Sequence, residues 1–383
     1  MKYNSNKRIR ILEIYTNSNI GGVQQHILSL LKEYNREIVS PLFCCFGKKG
    51  EIGVEIEKLG IDCIFLDRPK YKRFSLSIII DLYNLMKKKE INVVKTHNYY
   101  ANLYGRLSAL MAGVPVKIAS VQIDYHRKDK SIIRRIVNNL LSKITDKVVA
   151  ISESVKMDIL KYDHVPEDKV TVIYNGIDGD RFSGIEKNLI RSELGISPET
   201  LVIGTVGRLV FQKGHQYLLE AISKLKGRIP RLMLLIVGDG RLKDELKDYA
   251  KALNISQDVL FLGNRRDIPE ILSAIDIFVF PSLWEGLGMA LIEAMAAGKP
   301  IIATDIPPIR EIVNSEKVGI LVPPKNSNAI ADSIEFLFHN KNFAENLSNA
   351  ARERVFTTFH IKTTARQYTE LFENILRSKI WNI

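Results

Sequence analysis

Residues 281–298 read PSLWEGLGMALIEAMAAG and follow an apolar run, Ile275 to Phe280, that is typical of a buried strand. Glycines punctuate the loop after this strand, and the Ala, Met and Leu residues beyond them predict a short helix. Gly298 and Pro300 end that helix, because a C-terminal Gly with a following Pro commonly stops one. The stretch therefore predicts one strand-loop-helix unit of a parallel α/β sheet.

Two carboxylates stand eight positions apart in this stretch. Glu285 lies on the loop, and Glu293 lies in the helix whose N-terminus faces the same place. Open α/β sheets bind ligands at the edge where strands end and helices begin. Helix N-terminal amides favour phosphate there, and carboxylates accept hydrogen bonds from hydroxyls. The setting indicates a sugar nucleotide, whereas the two glutamates alone would fit an ordinary solvated helix.

Strand-like and helix-like segments alternate along both halves of the chain. Over 383 residues this pattern predicts two domains, each a doubly wound parallel α/β sheet with right-handed crossovers. Glycine and proline are concentrated in residues 175–199, which we interpret as the interdomain connection. The predicted domains are residues 1–175 and 176–360, and a helical segment in residues 361–383 completes the chain.

A second loop that predicts phosphate chemistry follows the first strand of the second domain. Its sequence, GTVGRLVFQKG in residues 204–214, holds Arg208 and Lys213 between Gly207 and Gly214 at a strand-to-helix turn. A guanidinium and an ammonium that converge on a diphosphate can offset the charge that develops on a departing nucleoside diphosphate. We therefore interpret the pair as a binding site for the leaving group.

Two loops of the first domain have a similar position. Gly21 and Gly22 separate the first strand from a helix that carries His26, and glycines there allow a ligand to approach the backbone closely. We interpret His26 as structural, with its ring packed within the helix. His97 directly follows another strand, so that it faces the same sheet edge, and it is the candidate functional histidine.

Together these motifs resemble those of retaining glycosyltransferases with the GT-B fold, in particular glycosyltransferase family 4. The resemblance rests on Glu-x7-Glu, on Gly-Arg-Leu…Lys-Gly, and on weaker Gly-Gly-x-x-x-His, Asn-Gly-Ile-Asp and Val-Gly-Asp-Gly segments. It extends over the whole chain and is strongest in the second domain. It implies two Rossmann-like domains facing each other across a cleft, with the acceptor on the first and the nucleotide sugar on the second. It also implies that the last helix crosses back to the first domain.

The resemblance implies roles for individual residues. Glu285 binds hydroxyls of the donor sugar, Arg208 and Lys213 stabilise the leaving diphosphate, and His97 positions the sugar; these four are the candidate catalytic residues. Glu293 binds the ribose. The other implied donor-binding residues are Gly21, Gly22, Asn175, Gly207, Gly238, Gly240, Leu262, Gly286, Leu287 and Gly288.

No metal or other cofactor is expected. Asp178-Gly179-Asp180 spells the metal-binding Asp-x-Asp signature of the other major glycosyltransferase fold, but it lies in the interdomain connection. Arg208 and Lys213 supply positive charge without a cation.

Composition places limits on the class of protein. With 46% hydrophobic and 26% charged residues the chain is typical of globular proteins, and it has no apolar run near the length of about 20 residues that spans a bilayer. The N-terminus lacks the features of a signal peptide. Cys44, Cys45 and Cys63 cannot all pair, so we expect reduced thiols in a cytoplasmic protein.

The positive charge is concentrated in the first half. Residues 1–175 contain 29 Lys and Arg against 18 Asp and Glu, which accounts for most of the net charge of +12. We expect no nucleic-acid partner, because no such motif is present. An anionic membrane surface or a lipid diphosphate ranks first, and a merely solubilising charge is about as well supported. The basic, aromatic loop 68–74 is the predicted membrane contact, whereas the amphipathic helix within 130–145 is predicted to pack on the core.

The sequence thus predicts a metal-independent retaining glycosyltransferase that moves a hexosyl or N-acetylhexosaminyl unit from a nucleoside diphosphate sugar, with a UDP-sugar favoured. The expected acceptor is a glycan or a lipid-linked saccharide of bacterial polysaccharide biosynthesis, at the inner face of the cytoplasmic membrane. Two alternatives remain open: a sugar-nucleotide epimerase or hydrolase of the same fold, and a non-catalytic glycan-binding scaffold.

Overall fold

The computed structural model describes residues 8–68, 70–71, 74–122 and 131–381. The described chain divides into two compact units. The first unit extends to Gly176 and resumes at Ile361, and the second unit is Ile177–His360.

The described part of the first unit contains a parallel sheet. Its strands are β1 (Ile9–Tyr15), β2 (Val39–Cys45), β3 (Asp62–Phe65), β4 (Val93–His97), β5 (Val116–Val121), β6 (Lys147–Ala150) and β7 (Val170–Val172). Its helices are α1 (Gly22–Glu33), α2 (Glu51–Lys58), α3 (Leu76–Lys88), α4 (Tyr99–Met111), α5 (Ile132–Lys143) and α6 (Glu153–Asp158). A single π-helical turn, Ile159–Asp163, extends α6. The strands lie in the order β3-β2-β1-β4-β5-β6-β7.

The second unit repeats this design. Its strands are β8 (Leu201–Val206), β9 (Leu232–Val237), β10 (Val259–Gly263), β11 (Ile277–Phe280), β12 (Ile301–Thr304) and β13 (Ile320–Val322), in the order β10-β9-β8-β11-β12-β13. Its helices are α7 (Lys187–Glu193), α8 (His215–Leu225), α9 (Lys243–Ala252), α10 (Ile268–Ala274), α11 (Met289–Ala296), α12 (Pro307–Ile312), α13 (Ser327–His339) and α14 (Lys341–Arg354).

Each sheet reverses its strand order at one point. In the first sheet β1 lies between β2 and β4, and in the second β8 lies between β9 and β11. The paired strands are parallel, so the predicted doubly wound α/β fold is confirmed for both units. Ligands of such sheets bind at the carboxyl ends of the strands where the order reverses. The loops after β1, β4, β8 and β11 are therefore the segments in which a site is expected.

The last helix, α15 (Ile361–Trp381), belongs to the first unit. Its buried side chains Tyr368, Phe372 and Leu376 pack in the same apolar cluster as β1. Near its end, Lys379 Nζ donates a hydrogen bond to the Pro115 carbonyl oxygen at 2.6 Å. Apolar burial on one face and a polar anchor at one end fix this helix on the first sheet.

Residues 175–199, which we interpreted as the interdomain connection, contain regular structure. Residues from Ile177 onward belong to the second unit, and they include a 3₁₀ turn at Gly179–Phe182 and helix α7. Arg191 on α7 is buried and donates hydrogen bonds to the Ala274 carbonyl and to Asp276 Oδ2, at 3.0 and 2.6 Å. The helix is too short to show a clear apolar period, and a buried arginine gives no apolar signal.

The prediction that the helix within 130–145 packs its apolar face on the core was wrong. In α5 only Leu141 and Ser142 are buried, whereas Ile132, Ile133, Ile136 and Leu140 are exposed. An amphipathic pattern shows that a helix has one apolar face, but it does not show which face the protein covers.

Two further expectations from composition concern thiols and membrane spans. Cys44 and Cys45 are buried in β2, and all three cysteines are free. Among the helices within the described ranges, none has both the length and the apolar character needed to cross a bilayer.

Candidate functional site

The loops after β8 and β11 are bound to each other in the second unit. Lys213 Nζ lies 2.5 Å from Glu285 Oε1, and both side chains are largely buried. Gln212 Nε2 donates to the Trp284 carbonyl at 2.7 Å, and the Leu283 amide donates to the Gln212 carbonyl at 2.8 Å. The structure therefore brings together two residues that the sequence predicted to act on one ligand, and it places them where the strand order reverses.

Two glycines allow these loops to adopt their positions. Gly214 has φ +63°, and a Cβ atom there would lie 2.1 Å from the Pro281 carbonyl oxygen. Gly238, after β9, has φ +127°, and its Cβ would lie 2.1 Å from the Gly207 carbonyl oxygen. Any side chain would push the loops apart at these points, so glycine permits the close approach that sets the distance between Lys213 and its partner.

Glu293 lies on α11, directly after the Glu285 loop. It is half-buried, and desolvation raises its pKa from 4.5 to about 7, against an opposing effect of Arg181. A carboxyl group whose pKa lies near neutrality changes charge at physiological pH. Such a shift, on a helix that begins at the ligand edge, is typical of a functional position.

The predicted donor-binding residues Gly207 and Gly238 lie at strand ends of the second unit. The Gly238 amide donates to the Gly263 carbonyl at 2.8 Å, and the Gly207 amide donates to the Val237 carbonyl at 2.9 Å, so the ends of β8, β9 and β10 are tied together. Arg208 is exposed between them. Gly240, Leu262 and Gly286 are half-buried, while Leu287 and Gly288 are buried in the loop before α11.

The first unit contains a buried charged cluster at its own point of reversal. Glu13 on β1 accepts hydrogen bonds from Lys95 Nζ at 3.1 Å and from the Tyr34 hydroxyl at 3.1 Å. Lys95 also lies over the Tyr368 ring, 3.6 Å from its centroid. Burial alone would raise the pKa of Glu13, but Lys95 and His97 outweigh it and hold that pKa well below its usual range. Glu13 and Lys95 therefore remain a charged pair inside the unit.

His97 is part of this cluster. Its Nε2 lies 2.6 Å from Glu13 Oε2, and its Nδ1 faces the Gln122 amide nitrogen at 3.4 Å. The imidazole is fully buried, and burial lowers its pKa despite the nearby carboxylate. A neutral ring that donates from Nε2 and accepts at Nδ1 satisfies both contacts. In this conformation the whole of His97 is buried, and the predicted sugar contact stays a prediction.

The residue after His97 has a strained backbone. Asn98 has φ 69° and ψ 167°, a combination that is nearly restricted to glycine and costs about 1–3 kcal/mol. Its side chain caps α4 by accepting from the Ala101 amide at 3.2 Å, and it donates to Thr16 Oγ1 at 2.8 Å. Strain of this kind persists where surrounding contacts impose it, commonly at functional sites. Here those contacts join the ends of β1 and β4.

The other predicted residues of the first unit are His26, Asn175, Gly21 and Gly22. His26 Nδ1 lies 3.2 Å from the Gly176 carbonyl oxygen, and burial lowers the His26 pKa to about 3. Asn175 is buried, and its Nδ2 donates to Gln122 Oε1 at 2.6 Å. Gly21 is the N-cap residue of α1, and Gly22 is exposed. The structure thus links His26 and Asn175 to residues of the first unit.

The partners of His97 were not predicted from the sequence. Glu13 and Lys95 are charged residues inside apolar strands, which is an available signal, because a buried parallel strand is normally apolar throughout. The two are register neighbours across β1 and β4.

The Asp-x-Asp segment is at the surface. Asp178 is half-buried, and Asp180 is exposed, with its Oδ2 3.6 Å from His360 Nε2. Over the part of the chain that the structure describes, no group of three or more His, Cys, Asp or Glu side chains is arranged to hold a metal ion.

Two family models match the chain. The model described as Glycosyltransferase Family 4 matches residues 20–181, and the model described as Glycosyl transferases group 1 matches residues 186–354. Together they cover most of both units.

Individual proteins are similar over most of their length. The UDP-Gal:alpha-D-GlcNAc-diphosphoundecaprenol alpha-1,3-galactosyltransferase of Escherichia coli is 30% identical over 310 residues, which are 79% of this chain and 80% of that protein. A glycosyltransferase structure from Rickettsia africae ESF-5 superposes with a TM-score of 0.86 at 24% identity, covering 96% of this chain and 99% of that one. Anabaena Alr3699/HepE in complex with UDP gives a TM-score of 0.84 at 22% identity, over 96% and 100% of the two chains.

Proposed function

Because the chain belongs to the group 1 glycosyltransferases of glycosyltransferase family 4 and has the GT-B architecture, we propose that it transfers a hexosyl or N-acetylhexosaminyl unit from a UDP-sugar with retention of configuration and without a metal. The proposed acceptor is a lipid-linked saccharide in the assembly of a bacterial polysaccharide, at the inner face of the cytoplasmic membrane. The chain is a glycosyltransferase; the donor, the stereochemistry, the metal independence and the acceptor are the proposal.

The ion pair between Lys213 and Glu285 carries this proposal. Without a ligand the ammonium and the carboxylate neutralise each other at a short distance. A diphosphate that enters beside Lys213 provides a stronger anionic partner, because a phosphate carries more charge than a carboxylate. Glu285 is then released to accept hydrogen bonds from hydroxyls of the transferred sugar. Lys213 thus binds the diphosphate, and Glu285 positions the sugar.

The leaving group is stabilised by cations of the chain itself. Lys213 and the exposed Arg208 lie on one loop at the end of β8. Fixed positive groups of this kind lower the barrier by favouring the charge that develops on the departing diphosphate. This source of charge supports the proposed metal independence.

Glu293 has the position of the ribose-binding residue in the family pattern. Its ionised carboxylate accepts hydrogen bonds from two ribose hydroxyls, whereas its protonated form loses one acceptor. The pKa of about 7 makes donor binding sensitive to pH in the neutral range.

The first unit has the acceptor-binding role in this proposal. We propose that His97 positions the sugar through its backbone, since the ring is held by Glu13 and Gln122. The strained Asn98 fixes the direction of that backbone. Both residues lie at the end of β4, where the strand order of the first sheet reverses.

The donor and acceptor classes come from the similar proteins. UDP is bound in HepE, and the E. coli relative is described as a transferase from UDP-Gal to a diphosphoundecaprenol-linked saccharide. The positive charge of the first half of the chain is compatible with an acceptor that carries a lipid diphosphate.

An incubation with UDP-sugars in EDTA, with and without a lipid-linked saccharide extract, tests the proposal. We expect UDP release and a labelled lipid product only when the extract is present. An epimerase or hydrolase would convert the UDP-sugar without an acceptor, and a scaffold would leave it intact. Activity that vanishes in EDTA and returns with manganese would contradict the metal-independent mechanism.

A further inference from the structure

Helix α5 exposes four of its apolar residues to solvent, while two asparagines and two arginines of the same helix contact the protein. Four large aliphatic side chains are exposed: Ile132 (69%), Ile133 (72%), Ile136 (54%) and Leu140 (55%). At about 100° per residue they fall within one arc of about 100° on the helix surface. They therefore form one apolar stripe, which we call the α5 stripe.

The polar side of the helix holds it in this orientation. Asn138 Nδ2 donates to Asp163 Oδ2 at 3.1 Å, and Asn139 Nδ2 donates to the His164 carbonyl at 3.0 Å. These hydrogen bonds are made by the residues that a core-packing helix would turn toward solvent. Rotating the α5 stripe inward would break both contacts.

Two arginines fix the same orientation by stacking. The Arg134 guanidinium lies 4.5 Å from the centroid of the Tyr99 ring, and that of Arg135 lies 5.1 Å from the Tyr162 ring. Stacking of a guanidinium on an aromatic face is favourable and directional. The outward direction of the α5 stripe is therefore imposed by several independent contacts, and a contiguous exposed apolar surface of this kind marks an interaction site.

We propose that the α5 stripe docks the first unit on an anionic lipid bilayer, with the helix lying in the plane of the interface. This inference rests on the proposed function, since a lipid-linked acceptor requires the enzyme to work at a membrane surface. An apolar stripe on a basic helix is the arrangement that inserts shallowly between lipid headgroups.

The charges on helix α5 favour an anionic lipid surface over a second copy of the protein as the partner of the α5 stripe. Helix α5 carries Arg134, Arg135 and Lys143, and it has no acidic residue from Ile132 to Lys143. Of these cations, the exposed Lys143 lies within the arc of the α5 stripe, so an anionic surface satisfies it as the apolar side chains enter, whereas Arg134 and Arg135 stay stacked on their aromatic rings. A second copy packed symmetrically on the same face would bring like charges together, which disfavours self-association.

A second exposed apolar group borders the same neighbouring helix, α4. The ring centroids of Phe74 and Tyr104 of α4 lie 6.3 Å apart. Phe74 is exposed, and so are Leu76 and Ile80 of α3. In the loop predicted to contact membrane, Tyr71 packs against Phe46 and Tyr100, while Lys72 and Arg73 lie outside the described residues. The membrane contact predicted for that loop stays a prediction, and the present proposal assigns the principal contact to α5.

Sedimentation with vesicles tests the proposal. The wild-type protein should bind vesicles of phosphatidylglycerol and phosphatidylcholine at low salt, bind pure phosphatidylcholine weakly, and be released by high salt. Replacing Ile133→Ser and Ile136→Ser together should weaken binding to the anionic vesicles about tenfold or more, because buried apolar area sets the affinity of interfacial helices. The matched control is Leu189→Ser, which changes an equally exposed leucine of the second unit and should bind as the wild type does.

A tryptophan probe gives a direct readout of insertion. The variant Ile133→Trp should show a blue-shifted emission when anionic vesicles are added and no shift with neutral ones. Equal sedimentation of the double variant and the wild type, or an Ile133→Trp emission that ignores vesicles, would overturn the proposal. A wild-type dimer that the double variant converts to monomer would also overturn it and assign the stripe to a second copy.

A UDP-induced rise in melting temperature, measured on the same samples, separates this inference from the proposed function. All variants should retain the rise, since α5 is not part of the donor site. Vesicle binding without any response to UDP would contradict the proposed function and leave the docking surface standing.

Discussion

Replacing Glu293→Gln should make the free protein more stable and donor binding weaker. The carboxyl group has a pKa of about 7 in the folded protein and 4.5 as its reference value. Below pH 4.5 the carboxyl group is protonated in both the folded and the unfolded protein, so it carries no charge whose burial would lower the free energy of unfolding. As pH rises toward 7 the unfolded chain loses the proton first, so each pH unit lowers the stability of the folded protein by about 1.4 kcal/mol.

The magnitude follows from that interval. The full cost above pH 7 is about 3 kcal/mol, and partial exposure of the side chain reduces it to about 2 kcal/mol. Glutamine carries no charge, so the variant should be stabilised by about 2 kcal/mol at pH 8 and by less than about 1 kcal/mol at pH 5. For a unit of this size that gain corresponds to a melting temperature higher by about 4–8 °C at pH 8.

The same substitution removes the charged hydrogen-bond acceptor that we propose for the ribose. A hydrogen bond to a charged group contributes about 1.5–3 kcal/mol, so the Kd for UDP at pH 8 should rise about 10- to 100-fold. Wild-type affinity should also increase between pH 6 and pH 8 as Glu293 ionises, whereas the variant should show no such change.

Thermal denaturation at pH 5 and pH 8, with and without UDP, measures all of these effects together. The exposed Glu316→Gln of the same unit is the control, and it should change neither the stability nor the response to UDP. A Glu293→Gln protein that melts lower than the wild type at pH 8 would refute the desolvation argument. Unchanged UDP affinity would refute the ribose contact.

Three more substitutions test other parts of the account. Lys213→Ala should slow transfer by about a hundredfold or more, because it removes a cation that stabilises the leaving group. The control Lys226→Ala, at an exposed position, should have no effect. Equal rates for the two variants would contradict the assigned role. Glu285→Gln should lower turnover with little change in the Kd for UDP, since it contacts the sugar and not the nucleotide, and a loss confined to UDP binding would show the assignment to be wrong. Lys95→Met should destabilise the protein by about 3–5 kcal/mol in urea denaturation, because it leaves Glu13 charged and buried; a loss below about 1 kcal/mol would mean that Glu13 is neutral in the fold.

The donor-site motifs were readable from sequence because each is local. A strand, a Gly-containing loop and a helix appear in order in residues 275–300, and the spacing of Glu285 and Glu293 follows from that order. The alternation of strands and helices likewise predicted both doubly wound sheets, since parallel strands need helical crossovers.

What the sequence did not show depends on contacts between distant segments. Glu13 and Lys95 are separated by 82 positions and become neighbours only when β1 pairs with β4. The ion pair of Lys213 with Glu285 needs the loops after β8 and β11 to meet. Periodicity alone identified α5 as amphipathic, but its orientation depends on Asn138, Asn139 and two stacked arginines.

The central claim is that the chain is a metal-independent retaining glycosyltransferase that uses a UDP-sugar. The most direct test is proton NMR of the anomeric signal of the product formed from an α-linked UDP-sugar and a lipid-linked saccharide in EDTA. Retention of configuration predicts a new α-glycosidic signal that appears together with free UDP and is lost with Lys213→Ala. A β-glycosidic product, or a reaction that proceeds only after a divalent metal is restored, would contradict it.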